Sequence, residues 1–253
     1  MCSIARERHG LLRIGRRRAG VRWSGRRRVL GLLASAMFAA PVPAATVDPG
    51  ALVPPETLAQ LRASGLIGTG HGIRPFRWTT VTTRPMRSPR RYRETFAGTP
   101  PGAPAGLSAM VRDELDEDGA VKRTVQRVSA RGLIHLKPGR AEPDVRIEGL
   151  HLPLSTGARF HLEYDDGSGR LIEDCVVGDD RAASSVHPAI PGRATQIDCS
   201  GTGRYMGIPV KVEATVLYLQ QPGVFVSVSQ EIHAPIGRLR SGTSIVDFSM
   251  KER

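Results

Sequence analysis

Residues 158–233 hold the clearest strands of the chain, in which apolar and polar positions alternate with a period of two. Ala158, Phe160, Leu162 and Tyr164 fall on one face, and Arg159, His161 and Glu163 on the other. That spacing marks a half-buried strand. Asp165-Asp166-Gly167-Ser168-Gly169 follows, with the glycine a hairpin loop requires. Residues 171–177 read as the next strand. Beyond a long loop, Thr195, Ile197 and Cys199 alternate with Gln196 and Asp198. Val210, Val212, Ala214, Val216 and Tyr218 define a further face, and Pro222-Gly223 is placed for a type II turn. Val224, Val226 and Val228 then alternate with Phe225, Ser227 and Ser229. The pattern predicts an antiparallel meander.

Elsewhere the signals are shorter. Pro54-Pro55-Glu56 leads into Leu58 and Leu61 and stops at Gly65, which predicts a short helix. Residues 67–72 read as a glycine-rich linker, 78–83 as an exposed strand followed by a Pro-broken loop, and 99–106 as a Pro/Gly linker. Residues 110–128 predict a hairpin turning at Asp118-Gly119, its acidic strand answered by Lys122, Arg123 and Arg127. Residues 133–136 and 145–154 predict two more strands, the second changing phase at Gly149 as a β-bulge would. Ser244, Val246 and Phe248 predict a closing strand. The expected fold class is mainly β: a twisted antiparallel sheet (half-barrel or sandwich) of roughly nine to eleven strands with one short N-terminal helix.

Charge changes the picture only once it is located. The formal net charge is +12, but residues 1–44 carry ten Arg and one Glu, which leaves +3 for the other 209 residues. Arg26-Arg27-Arg28, an apolar run over 29–40 and Val42 and Ala44 at the −3 and −1 positions read as a cleaved signal peptide. The apolar run is too short to span a bilayer comfortably, so no transmembrane segment is expected after cleavage, and the localisation is read as periplasmic or secreted. The domain reading is 1–44 signal peptide, 45–106 N-terminal extension with the helix and an Arg-rich loop, and 107–253 antiparallel β domain.

Cys175 and Cys199 are the two cysteines beyond the leader. A metal or redox pair needs a CxxC or a fixed histidine spacing, and neither is present. A disulfide between neighbouring strands fits an exported chain. Arg74, Arg77, Arg84, Arg87, Arg90, Arg91 and Arg93 are interleaved with Phe76, Trp78 and Tyr92. Basic residues among aromatics can grip a polyanion, although solvated charges on an exposed strand and loop explain them as well. Nucleic acid is not expected as a partner of an exported protein.

Catalytic signals are weak. His71, His135, His151, His161, His187 and His233 show no helical ligand spacing and no HExxH, there is no GxSxG, and 68–72 lacks the frame of a phosphate loop. His151 or His161 gathered with two carboxylates in a pocket would indicate a hydrolase. The acidic run 113–118 lacks the ligand order of an EF-hand. No cofactor or metal site is expected.

The order Leu152-Pro153-Leu154, Gly157-Ala158-Arg159-Phe160, the two cysteines, Val216-Leu217-Tyr218 and Gly223-Val224-Phe225-Val226 resembles secreted bacterial β proteins of unknown role. The resemblance covers about 150–250 and implies a curved sheet like that of periplasmic lipoprotein carriers, whose concave face would hold an apolar ligand; it carries over no catalytic residue. The expected function is a non-enzymatic exported protein binding a lipid, lipoprotein or envelope component through the face bearing Val212, Val216, Val224 and Val226. The alternatives are a secreted hydrolase with an unrecognised site and a polyanion or cell-surface binder.

Overall fold

The computed structural model describes residues 49–68, 70–136, 144–165, 169–205 and 207–250; the leader read over 1–44 lies outside them. Strands β1 (Phe76–Arg84), β2 (Arg87–Phe96), β3 (Leu107–Leu115), β4 (Val121–Ala130), β5 (Ile134–Leu136) and β6 (Asp144–Glu148) are followed by β7 (Arg159–Asp165), β8 (Gly169–Ala182), β9 (Arg193–Tyr205), β10 (Ile208–Leu219), β11 (Val224–Ala234) and β12 (Gly237–Met250). All twelve form one antiparallel sheet in the order β5-β4-β3-β2-β1-β12-β11-β10-β9-β8-β7-β6. Each neighbour in the sheet is the neighbour in sequence, except that β1 pairs with β12 and β5 and β6 are the two edges. The sheet is therefore a meander, with the β1–β12 ladder in its middle.

Among the described residues one α-helix precedes it, α1 (Pro55–Ala63). Pro55 opens the helix, where its missing N–H costs nothing. Gly65 closes it at φ 73°, where a Cβ would stand 2.5 Å from the Leu150 carbonyl oxygen. Leu61 is buried against β6 and its neighbours.

Strands β10 and β11 are apolar on both faces. Val216, Tyr218 and Phe225 belong to one buried cluster with Phe160, Cys175, Ile197 and helix residue Leu61. Leu217, Leu219, Val224 and Val226 belong to a second, with Phe76, Trp78, Phe96 and Phe248. Phe76 stacks on Phe96 at 4.4 Å between ring centroids. Burial on both faces is why 216–219 and 224–226 read as unbroken apolar runs. It means that the sheet rolls so that other strands cover these two on either side.

Four expectations need correction. The Arg-rich stretch is not a strand followed by a loop: 76–96 is the β1–β2 hairpin, and it joins β12 to β3 within the sheet. The linker 99–106 is thus a connection inside that sheet. The acidic residues of β3 pair mainly with β2, not β4: Arg93 Nη2 lies 3.0 Å from Asp113 Oδ2 and Arg90 Nη1 lies 3.9 Å from Glu114 Oε1. Gly149 is no bulge; β6 ends at Glu148, and Gly149 turns the chain out at φ 78°. The valines expected to line one ligand-holding face divide between two. Tyr218 faces Phe225 and Leu219 faces Val224 in the ladder, so Val224 and Val226 lie opposite to Val212 and Val216.

Candidate functional site

The face expected to hold a ligand is closed by its own side chains. Val212, Val216, Val224 and Val226 are all buried, and the space beside Cys175, Cys199 and Phe225 is a void of about 20 Å³. Cys175 and Cys199 stand directly opposite each other in β8 and β9 and form a disulfide. Beside them Glu173 is 4% exposed with Oε1 unpartnered, and burial pushes its carboxyl above its ordinary range.

A second polar layer lies between β1 and β5. Trp78 donates its indole N–H to Glu94 Oε2 at 2.5 Å, and Arg112 Nε lies 3.1 Å from Glu94 Oε1. The Arg112 guanidinium also covers the Tyr92 ring at 4.2 Å. His135 Nδ1 and Arg127 Nε are buried without hydrogen-bond partners, and burial holds both groups below their ordinary pKa.

The open site is on the other face, where β8 to β11 reach their hairpin turns. Residues alternate across a strand, so with Glu173, Gly201, Val212 and Ile232 turned to the first face, Ile172, Thr202, Lys211 and His233 share the second. The ladders place these four side by side. The next row holds Arg170 opposite Arg204, with Pro209 beyond. Together with Val210, Ala234 and Pro235 they line an open groove of about 620 Å³, within the range of small-molecule sites. Two glycines allow the strands beneath it to close up. A Cβ at Gly201 would stand 2.0 Å from the Ile172 carbonyl oxygen, and one at Gly203 would stand 2.3 Å from that of Arg170.

The groove has an apolar floor of Ile172, Pro209 and Pro235, and a cationic rim. Arg170 faces Arg204, and Lys211 faces His233. Arg170 and Arg204, like charges directly opposite in a ladder, repel, and the neighbouring carboxylate of Glu163 relieves only part of this. Glu163 Oε2 lies 3.2 Å from Arg170 Nη2, and Glu231 Oε1 lies 3.2 Å from His233 Nε2 and 3.7 Å from Arg238 Nη1. Arg204 and Lys211 are exposed.

His161 does meet two carboxylates. Its Nδ1 lies 2.9 Å from Asp174 Oδ1 and its Nε2 lies 3.6 Å from Glu163 Oε1. The hydrogen bond with Asp174 raises its pKa above the ordinary value. The group stands on the outer face with the Asp174 side chain 83% exposed, so it is an exposed ion-pair cluster, not an enclosed pocket.

The arginines proposed to grip a polyanion are not on one face. Arg77, Arg91 and Arg93 share one side of the hairpin, with Arg93 engaged by Asp113, while Arg84 and Arg90 share the other with Thr82 and Tyr92. Arg74 lies ahead of β1, its backbone N–H bonded to the Pro222 carbonyl. Arg87 lies at the first position of β2. Sequence reasoning missed the groove residues. The signal was there in the hairpin about Gly207, whose register sets Thr202 against Lys211 and Arg204 against Pro209; the partners from β8 and β11 come from more distant chain.

What the site defines is a class only: an antiparallel β protein with a basic, apolar-floored surface groove. No protein-family model matches the chain, and no curated protein matches it. A solved structure from Bacteroides fragilis, a "putative exported protein with YmcC-like fold", aligns over 72% of this chain and 97% of its own, at 13% identity and a TM-score of 0.37. Agreement at that level carries no argument about function.

Proposed function

We propose that this is an exported, non-enzymatic protein that binds an amphiphile with an anionic headgroup, a phospholipid being the simplest, in the β8–β11 groove. The cationic pair Arg170–Arg204, with Lys211 beside it and set over an apolar floor, carries the reading. A phosphate relieves the repulsion within the Arg170–Arg204 pair and gains charge-assisted hydrogen bonds, while Ile172, Pro209 and Pro235 cover the first methylenes of a chain. Export is supported by the leader pattern over 1–44 and by a disulfide that persists in oxidising compartments.

Titration with lysophosphatidylglycerol and lysophosphatidylcholine, below their micelle concentrations, tests it. The anionic lipid binds and the zwitterionic one binds weakly. Exchanging Arg204 and Lys211 for Ser lowers affinity for the anionic lipid roughly tenfold or more. Equal binding of the two lipids, or none of either, contradicts the reading.

A further inference from the structure

We propose that the end of the sheet built by the β1–β2, β9–β10 and β11–β12 turns docks on an anionic lipid bilayer, with apolar tips in the interfacial layer and arginines on the headgroup phosphates. In an antiparallel meander these three turns lie at one end of the sheet, and β2-β1-β12-β11-β10-β9 are consecutive strands, so the three tips are neighbours.

Each tip carries an exposed apolar side chain, uncovered at the β1–β2 and β11–β12 turns and partly covered at the β9–β10 turn. Met86 is fully exposed, Ile236 is 86% exposed, and Leu239 and Ile208 are exposed beside the turns. Single exposed apolar residues need no explanation, but a contiguous group does. Here four of them fall on three adjacent turns.

The charge around them is mostly positive, with Glu114 beside Arg90 and Glu231 beside Arg238. Segments 83–90, 204–211 and 233–241 contain Arg84, Arg87, Arg90, Arg204, Lys211, Arg238 and Arg240 and no Asp or Glu. Arg84 and Arg87 face each other across the β1–β2 hairpin, a further like-charge pair. The neighbouring β3–β4 turn is the opposite, with Asp116, Glu117 and Asp118, which bounds the basic region on that side. A soluble polyanion would account for the cations but not for Met86 and Ile236 at the outermost positions. Apolar tips ringed by arginine match an anionic bilayer, where apolar burial and headgroup attraction add. Arg204 and Lys211 also line the groove, whereas Met86, Arg87, Ile236, Leu239 and Arg240 do not, so exchanges at these five test the surface apart from ligand capture.

Co-sedimentation of the full chain with vesicles decides it. Binding is expected to phosphatidylcholine vesicles containing phosphatidylglycerol and not to phosphatidylcholine alone, and to weaken as salt rises. The double exchange M86S/I236S weakens binding roughly tenfold, and R87S/R240S removes the preference for the anionic vesicles. An Ile236→Trp reporter shifts its emission to the blue on anionic vesicles, whereas Val176→Trp, on β8 away from the turns, does not. All these positions are exposed, so the fold is retained, and lysophosphatidylglycerol titration of the same variants stays unchanged whether or not the groove binds. Equal binding to both vesicle types, variants that bind like the parent, or tips that pair two copies of the chain in place of a bilayer would overturn the proposal.

Discussion

Arg131 donates its Nε–H to the carbonyl of Leu66 at 2.8 Å, across 65 residues of sequence. The same guanidinium reaches the carbonyl oxygens of His71 at 2.9 Å and Gly223 at 3.3 Å. One fully buried side chain thereby fastens the segment after α1, the β4–β5 turn and the β10–β11 turn. Arg131 itself adopts φ 47°, a conformation costly to most residues. Its place in the turn is fixed by what its side chain holds.

Lysine has no planar fork and cannot serve three carbonyls spread in this way. Arg131→Lys is therefore expected to cost about 3 kcal/mol through unsatisfied buried carbonyls, read as a lower urea midpoint. A midpoint within error of the parent would show that the fork is dispensable.

The disulfide closes a separation of 24 residues between paired strands. Replacing Cys175 and Cys199 by alanine or serine is expected to destabilise by about 3 kcal/mol, on a chain-entropy argument. The β8–β9 ladder should still form in the variant, because its other pairs do not depend on the sulfur bridge. Urea unfolding of parent and variant, each under non-reducing conditions, measures the difference.

Glu173 sets a pH dependence whose sign can be worked out. Burial raises its native pKa above the value in the unfolded chain. The native state therefore keeps its proton to higher pH, and stability falls as pH rises from the unfolded carboxyl range through the native one, then levels off. Glu173→Gln removes that slope. It is expected to leave stability near pH 4 little changed and to raise it by about 1–2 kcal/mol near pH 8. A parent whose stability is flat across this range would show that the carboxyl is solvated.

Much of the fold was legible in the sequence. The period-two runs of β7 to β11, the helix between Pro55 and Gly65 and the turn at Asp118-Gly119 carry local signals, and each of these forms. The facing of Cys175 and Cys199 followed from two alternating strands joined by a long loop. The runs at 216–219 and 224–226 were harder, because burial on both faces erases alternation, and the split of Val224 from Val216 is set by the β10–β11 turn, which places Leu219 against Val224. Proline at 89 argued for a loop where β2 runs, yet Pro89 sits within that strand; a missing N–H there outweighs neither the paired neighbours nor the stacked Phe96. The groove was not legible, because Arg170, Arg204, Lys211 and His233 come from four strands and meet only through their ladders.

Native mass spectrometry of the full chain, expressed with residues 1–44 in a bacterial host and recovered from its periplasmic fraction without detergent, tests the central claim most directly. The account expects the mass of the disulfide form, carrying an anionic lipid adduct that is lost from the R204S/K211S variant. Protein recovered with both thiols free, or without any adduct in parent and variant alike, would contradict it.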